Sequence, residues 1–258
     1  MARMRITSCG ITDLGRKRTN NEDNYLINDE LGLYLVADGM GGHAGGEFAS
    51  QIAVNTVEEV FANLGAATIP PALVDEITPD DLTRERLEYA IRLAGRRIYE
   101  KALDEPEYRG MGTTALALYA QKDKAFISHV GDSRGYRLRG ETIEQLTEDH
   151  SLVNEQIKAG LITPETAKTH RLKNIITRSL GYQEEVEVDT RIEQLVEGDI
   201  FLLCSDGLSN MVEEDEMLEI LTRCHFQEAP WRLVEMANDR GGDDNITVVL
   251  TRIDRVGS

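Results

Sequence analysis

Cysteine, long apolar runs and positive charge are all scarce in this sequence. Its 258 residues include only three cysteines, Cys9, Cys204 and Cys224. This odd and sparse set argues against a disulfide framework and favours a reducing compartment such as the cytoplasm. No stretch approaches the ~20 consecutive apolar residues that a membrane span needs, and the basic residues 1–5 lead into no apolar segment like that of a secretory signal. We therefore expect a cytoplasmic protein that does not cross a membrane.

The charge balance is strongly acidic. Lysine and arginine together number 28 against 46 aspartates and glutamates, which gives a net charge of −18. Nucleic acid or an anionic membrane surface would need a basic patch, so neither is expected as a partner. The composition, with 41% hydrophobic residues, is that of a globular protein. Because no repeat or low-complexity segment divides the chain, we expect residues 1–258 to form a single domain.

Short apolar runs bounded by aspartate recur along the chain. Asp38, Asp132 and Asp206 each follow such a run, and Asp244 precedes one. Runs of this length between glycine and aspartate indicate buried strands, and apolar residues at helical spacing between them predict amphipathic helices. The predicted strands are 31–37, 125–130, 200–205 and 246–250, and the predicted helices are 47–64, 83–103 (with residues 78–81 as its cap), 151–159, 215–223 and 230–239.

The repetition of aspartate at strand ends points to a metal site. A single carboxylate there is usually a turn or cap residue, but four brought together would repel one another and take up protons. Divalent cations remove that cost, and ligation by oxygen alone suits Mg²⁺ and Mn²⁺ better than Zn²⁺. No pair of closely spaced cysteines, HExxH sequence or EF-hand loop suggests another metal. We therefore expect the four aspartates to converge on divalent ions.

An arginine near the N-terminus suggests what the metal site acts on. Arg18 lies four residues before the acidic pair Glu22-Asp23. Its guanidinium offers a planar fork of donors that matches the oxygens of a phosphate group. Such an arginine alone is more often a solvated loop charge, but beside a metal cluster it favours a phosphate ester as substrate.

Eight short segments, spread over nearly the whole chain, carry the strongest signal of function. They are RTNNEDN (18–24), VADGMGGHAGG (36–46), GTT (112–114), GDSR (131–134), LTEDHS (146–151), ITRSLG (176–181), LLCSDGL (202–208) and DNITVV (244–249). In their order and spacing the chain resembles the PP2C (PPM) family of metal-dependent serine/threonine protein phosphatases, in particular its compact bacterial members.

For the fold, the resemblance implies an α+β protein, a four-layer α–β–β–α sandwich of two antiparallel sheets, with a flap at about residues 149–181 beside the active site. For the activity, it implies hydrolysis of phosphoserine and phosphothreonine by direct attack of a hydroxide that bridges two metal ions. The cofactors would be Mn²⁺ or Mg²⁺, with two ions in the core site and a third in a weaker one. The partners would be phosphorylated proteins, substrates of a Hanks-type kinase. With no coiled-coil repeat in the sequence, we expect a monomer.

The resemblance also implies which residues hold the metal. Asp38, Asp206 and Asp244 would be direct ligands, with Asp38 bridging two ions. The backbone carbonyl of Gly39 would be a further ligand. Asp132, together with Asp206, would form the third and weaker site.

Other residues would support the metal and bind the substrate. Glu22 and Asp23 would act on the metal through water. Arg18 would hold the substrate phosphate, and His170, in the flap, would contact the substrate. The residues expected to take part in catalysis are Arg18, Asp38 and Asp206.

One position departs from the animal relatives, which have a histidine there as the proposed general acid. In this sequence the position is Met40, as is common in the bacterial relatives, and a methionine cannot donate a proton. His43, His170 and a water on the metal remain as candidates. Either histidine could instead be a helix cap or a solvated loop residue, so the acid stays open.

Other functions are less well supported. Residues 39–44 fit a dinucleotide-binding GxGxxG/A pattern, but the acid about 20 residues on, Glu58, lies in a helical pattern and not at the end of a strand. The spacing of cysteine and arginine does not fit a cysteine-dependent phosphatase, and there is no Walker A sequence. The remaining alternative is an inactive family member that binds phosphorylated proteins or regulates them. Such proteins usually lack a metal aspartate, whereas every expected acidic position is filled here.

Overall fold

Two antiparallel sheets form the centre of the molecule, for which a computed structural model describes residues 5–41, 44–63 and 78–255. The strands are β1 Arg5–Asp13, β2 Asp23–Asn28, β3 Leu33–Met40, β4 Gly112–Thr113, β5 Ala115–Gln121, β6 Lys124–Val130, β7 Arg134–Arg139, β8 Thr142–Gln145, β9 Asp189–Gln194, β10 Ile200–Cys204 and β11 Ile246–Arg255. One sheet has the order β1-β11-β10-β7-β8 and the other the order β2-β3-β5-β6-β9, with the short β4 paired to β3.

Helices form the two outer layers of the sandwich and part of the flap. Their bounds are α1 Ala44–Asn63, α2 Pro79–Asp104, α3 Leu152–Lys158, α4 Pro164–Lys168, α5 Asp206–Ser209, α6 Glu214–Arg223 and α7 Ala229–Asp239. Apolar residues of α1 and α2 pack against the sheet that contains β3, and those of α6 and α7 pack against the sheet that contains β10 and β11. No helix in the described ranges is long and apolar enough to cross a membrane.

The alternation of side chains along the strands produces the layers. On β3, Leu33 and Leu35 face the cluster shared with α1 and α2, whereas Tyr34 and Val36 face the cluster between the two sheets. This follows from the two-residue period of a strand, which sends successive side chains to opposite faces. The predicted four-layer α–β–β–α sandwich is confirmed.

The predicted helices and strands are present, with shifted ends. β3 continues to Met40, beyond the predicted end at residue 37, because its last residues pair with β4. α2 begins at Pro79, and the Thr78 hydroxyl caps it by accepting the Asp81 N–H at 3.1 Å. The predicted end of the first helix at residue 64 lies outside the described residues. The predicted short helix at 151–159 is α3, and α4 follows it within the flap.

Strand pairing brings distant carboxylates to one end of the sandwich. Asp23 and Asp38 are opposite each other in the register of β2 and β3. β10 pairs with β11, so the residue after β10, Ser205, lies beside Thr247 near the start of β11. The hydroxyls of Ser205 and Thr247 both donate to Oδ2 of Asp23 at 2.7 Å, and so tie the two sheets together at this end.

Candidate metal centre

Five aspartates from both sheets gather at this end of the sandwich. The charges of the other four all act on the carboxyl of Asp38, which lies in β3. The predicted convergence is therefore present. The other four are Asp23 at the start of β2, Asp132 after β6, Asp206 at the start of α5 and Asp244 before β11.

Burial and mutual repulsion raise the pKa of these carboxyls. The pKa of Asp38 is raised well above its ordinary value, first by burial and then by the charges of neighbouring aspartates. Burial is also the largest cause that raises the pKa of Asp23 to about 7, of Asp132 to about 8 and of Asp206 to about 6. Carboxyls that share a site in this way take up protons unless a cation neutralises them. The electrostatics of the cluster therefore favour bound cations.

Two buried carboxylate oxygens in the cluster have no hydrogen-bond partner among the described residues. They are Oδ1 of Asp23 and Oδ1 of Asp132, on side chains that are only 5% and 7% exposed. An unpaired buried anionic oxygen carries a large desolvation cost. Hard divalent cations such as Mg²⁺ and Mn²⁺ prefer oxygen ligands of this kind. The residues present therefore fit a divalent metal site.

Gly39 lies where two segments of backbone approach each other closely. Its N–H donates to the carbonyl of Glu22 at 3.1 Å. A Cβ at Gly39 would lie 2.1 Å from the carbonyl oxygen of Gly46 and 2.4 Å from that of Glu22. A Cβ at Gly46 would in turn lie 2.1 Å from Oε2 of Glu22. Only glycine permits this approach. It puts the Glu22 carboxylate next to the Gly39 backbone, and both were predicted to belong to the metal site.

Asn245 holds the loops of the centre together and was not predicted as a site residue. Its Oδ1 accepts the Glu22 N–H at 2.8 Å, and its Nδ2 donates to the carbonyls of Leu14 and Asn20 at 3.0 Å each. Its own N–H donates to Oδ1 of Asp244 at 2.8 Å. The one available signal was its position directly after a predicted metal aspartate.

Arg18 reaches the centre from the loop between β1 and β2. Its Nη2 lies 2.7 Å from Oδ2 of Asp244, and its side chain is 51% exposed. The predicted phosphate-binding arginine is therefore at the centre and open to solvent, and it is bonded to a predicted metal ligand.

A cleft of about 870 Å³ opens beside Asp132 and Asp206, between the flap and α6. Lys173 of the flap lines the cleft. Burial raises the pKa of Asp206, and the positive charges of Arg18 and Lys173 oppose that rise. The cleft therefore joins the carboxylate centre to a surface that a protein substrate could reach.

Of the two histidines that are candidates for the general acid, His170 lies within the described residues. The ring of His170 accepts the Leu172 N–H at 3.2 Å within the flap, and no described contact joins it to the aspartates. His43 lies outside the described residues. Met40 is half-buried at the end of β3, so the structure adds no proton donor at that position.

The fold and the carboxylate centre together define a class of metal-dependent hydrolase, and comparison with known proteins gives the family. A sequence profile described as protein phosphatase 2C matches residues 15–241. Protein phosphatase PhpP of Streptococcus pneumoniae is 42% identical over 246 residues, 93% of this chain and 94% of that protein. Serine/threonine phosphatase stp of Listeria monocytogenes is 40% identical over 251 residues, 94% of each chain.

Solved structures agree with the sequence relatives. The Mycobacterium tuberculosis serine/threonine phosphatase PstP/Ppp superposes with a TM-score of 0.86 at 35% identity, covering 97% of this chain and 99% of the other. The catalytic domain of PstP in complex with two manganese ions gives a TM-score of 0.80 at 35% identity, covering 98% of this chain and all of the other. The chain belongs to the protein phosphatase 2C family, which confirms the predicted family, fold and enzyme class.

Proposed function

We propose that this chain removes phosphate from phosphoserine and phosphothreonine in proteins, with two divalent ions held by Asp38, Asp206 and Asp244. The observation that carries this proposal is the gathering of carboxylates from both sheets around buried oxygens that lack a partner. The relatives named as serine/threonine phosphatases support the substrate class. The structure of PstP with two manganese ions supports the number of core ions.

The individual ligand roles are part of the same proposal. Asp38, whose pKa is raised by burial and by the charges of the other four aspartates, would bind both ions. The backbone carbonyl of Gly39 would be a further metal ligand. Asp23 and Glu22 would contribute through water. The hydroxyls of Ser205 and Thr247 already hold Oδ2 of Asp23, which leaves its Oδ1 for such a water. Asp132, with its unpaired Oδ1, would hold a third ion with Asp206. Because every donor is an oxygen, Mn²⁺ and Mg²⁺ are the expected metals.

When bound, two such ions supply a water of lowered pKa and Lewis acidity at the phosphoryl group. The protein's own residues bind and orient the ester. Arg18, half-exposed above Asp244, would bind the phosphate oxygens through its guanidinium fork. Lys173, which lines the cleft, adds a second positive charge that acts on Asp206. His170 remains a predicted substrate contact through the flap, and the candidates for the general acid are still His43, His170 and a water on the metal.

The proposal extends to the cellular compartment, the domain organisation and the partners of the enzyme. The three cysteines are all free thiols, which supports a reducing compartment such as the cytoplasm. The chain would form one catalytic domain with a flap at about residues 149–181, because both sheets contribute side chains to the apolar cluster between them. A Hanks-type kinase as the source of the substrates, and a monomer as the working unit, remain predictions.

Hydrolysis assays test the proposal. Matched phosphoserine, phosphothreonine and phosphotyrosine peptides are incubated with purified protein in Mn²⁺, in Mg²⁺ and after chelation with EDTA. We expect metal-dependent release of phosphate from the first two, loss of release in Asp38→Ala and weaker release in Arg18→Ala. Asp123→Asn, which changes a half-buried aspartate in the turn between β5 and β6, outside the centre, is the control and should match the wild type.

Two outcomes would contradict the proposal in different ways. Folded, metal-loaded protein that releases no phosphate would favour the alternative of an inactive member that binds phosphorylated proteins. Full activity after thorough chelation would mean that the carboxylates have another purpose.

A further inference from the structure

A second cluster of titratable groups lies outside the carboxylate centre. One ligand atom each from His129, His150 and Asp189 lies within 4.8 Å of the other two. The two rings are stacked, with centroids 4.8 Å apart and an interplanar angle of 15°. Two histidines and an aspartate could hold a metal ion, but the proposed phosphatase chemistry leaves them without a role.

The hydrogen bonds of the cluster argue against a bound metal. Nδ1 of His150 accepts the N–H of Gly131 at 3.0 Å, so the proton of the neutral ring is on Nε2, which faces Oδ2 of Asp189 at 3.2 Å. Nη1 of Arg178 lies 3.1 Å from the same Nε2 and donates to Oδ1 of Asp189 at 2.8 Å. A metal ion bound to Nε2 would require the ring proton to be on Nδ1. Two donors, this N–H and the N–H of Gly131, would then point at each other. A guanidinium already occupies the cation position.

The ring and backbone of His150 hold Gly131 from both sides. The His150 N–H donates to the carbonyl of Gly131 at 3.0 Å, while its ring accepts the Gly131 N–H. Gly131 has a φ of +107°, and a Cβ there would lie 2.5 Å from Cγ2 of Thr114. The next residue is Asp132, whose Oδ1 is buried without a partner. The two hydrogen bonds therefore fix the turn that presents Asp132.

The same histidine is tied to the flap. Its carbonyl accepts the Thr177 N–H at 2.8 Å. The next flap residue, Arg178, bonds Asp189, which is the first residue of β9. This bond holds the Asp189 carboxylate next to the His150 ring. The chain of contacts therefore runs from the flap, through Asp189 and His150, to the turn before Asp132.

We propose that His150 is a positioning residue that holds the Gly131–Asp132 turn in its ion-binding conformation, with Asp189 and Arg178 fixing the ring from the flap side. The inference rests on the proposed function, because it concerns the ion held by Asp132 and Asp206. It makes occupancy of that ion depend on the conformation of the flap. In the described contacts the His150 side chain bonds none of the five aspartates of the centre, so it acts through the turn.

Calorimetric titration of Mn²⁺ into metal-free protein tests this inference without any measurement of activity. The weak ion is identified as the one lost in Asp132→Ala. In His150→Leu we expect this ion to bind about tenfold more weakly or worse, with the tight ions changed by less than about twofold, as found for partners that orient metal ligands. His150→Asn keeps an acceptor near the position of Nδ1 and should recover most of the affinity.

His129→Leu is the matched control. It removes the stacked, equally buried imidazole, whose Nε2 bonds Glu148 and not Gly131, so the weak ion should bind as in the wild type. Equal weakening in His129→Leu and His150→Leu, or unchanged affinity in His150→Leu, would overturn the inference. So would a wild type with no ion that depends on Asp132.

Should His150→Leu fail to fold, Asp189→Ala replaces it, because the half-exposed Asp189 side chain bonds the His150 ring. We expect a smaller loss of affinity in the same direction, and no loss would overturn the inference. The proposed function fails separately, when the wild type binds these ions with the expected affinities but hydrolyses no phosphopeptide.

Discussion

At the scale of single residues, the centre combines carboxylates that repel one another with neutral groups that hold them in place. Asp23 keeps one oxygen unpaired while the hydroxyls of Ser205 and Thr247 hold the other. Asp38 receives no such pair of hydroxyls in the described contacts, and burial together with the neighbouring aspartates raises its pKa well above the ordinary value. The fixed groups thus orient the carboxylates and leave their charge for the metal to neutralise.

Asn245 bonds several segments of backbone around the centre, and its removal should lower the stability of the protein. Asn245→Ala removes the amide that accepts the N–H of Glu22 and donates to the carbonyls of Leu14 and Asn20. Each hydrogen bond that is lost costs about 0.5–1.5 kcal/mol. We expect urea denaturation to show a loss of stability in that range or above, and calorimetry to show weaker binding of Mn²⁺.

Asn24→Ala is the control for this change, because the Asn24 amide makes a longer bond of 3.3 Å to Ser50. It should lose less stability and keep its affinity for Mn²⁺. Equal effects of the two substitutions would mean that Asn245 has no special place in the centre.

At the scale of the elements, the sequence predicted strands that end at an aspartate and missed strands with a charged face. β9 (DTRIEQ) and β7 (RGYRLR) contain too many charges to predict a strand. Those charges pair only after the chain has folded: Arg137 of β7 bonds Glu193 of β9 in the other sheet, and it bonds Glu144 of the neighbouring β8 at 2.6 Å. The charged residues of β7 and β9 therefore concealed two strands, because their ion-pair partners are known only from the folded structure.

The start of α2 gives a prediction about an element far from the chemistry. Thr78→Ala removes the hydroxyl that accepts the Asp81 N–H, and loss of such a cap costs about 1 kcal/mol. Thermal unfolding should show a lower Tm, whereas phosphate release per molecule of folded enzyme should not change. Thr78→Ser keeps the hydroxyl and should restore the Tm. A loss of activity in folded Thr78→Ala would contradict the separation of α2 from the centre.

At the scale of the whole molecule, the position of the centre depends on contacts between residues far apart in the chain. β1 pairs with β11 from Arg5 opposite Arg255 to Asp13 opposite Ile246, and no local pattern specifies such a register. The four-layer fold therefore had to come from the family resemblance. The aspartates were visible because each stands at the end of an apolar run. The groups that hold them, such as Thr247 on Asp23, become visible only in the folded chain.

The stability of the whole molecule should depend on pH in a way that metal removes. The folded pKa values of Asp206, Asp23 and Asp132, about 6, 7 and 8, exceed the ordinary value of an aspartate. The metal-free folded state therefore binds more protons than the unfolded state, and its stability falls as the pH rises. The fall should be clear from about pH 6.5 to about pH 9, above the unfolded pKa of histidine.

Urea denaturation at several pH values, with and without saturating Mn²⁺, checks this prediction. The decline should be present without metal and absent with it. It should be shallower in metal-free Asp23→Asn, which lacks one of the raised groups. Parallel curves with and without metal would mean that the cation does not neutralise these carboxyls.

The most direct test of the account is the location of bound metal. Crystals grown with Mn²⁺ would be measured by anomalous diffraction at the manganese edge. We predict two strong peaks within about 2–2.5 Å of carboxylate oxygens of Asp38, Asp206 and Asp244, a normal range for metal–oxygen bonds. Manganese between His129, His150 and Asp189, or no manganese among the aspartates, would contradict the account.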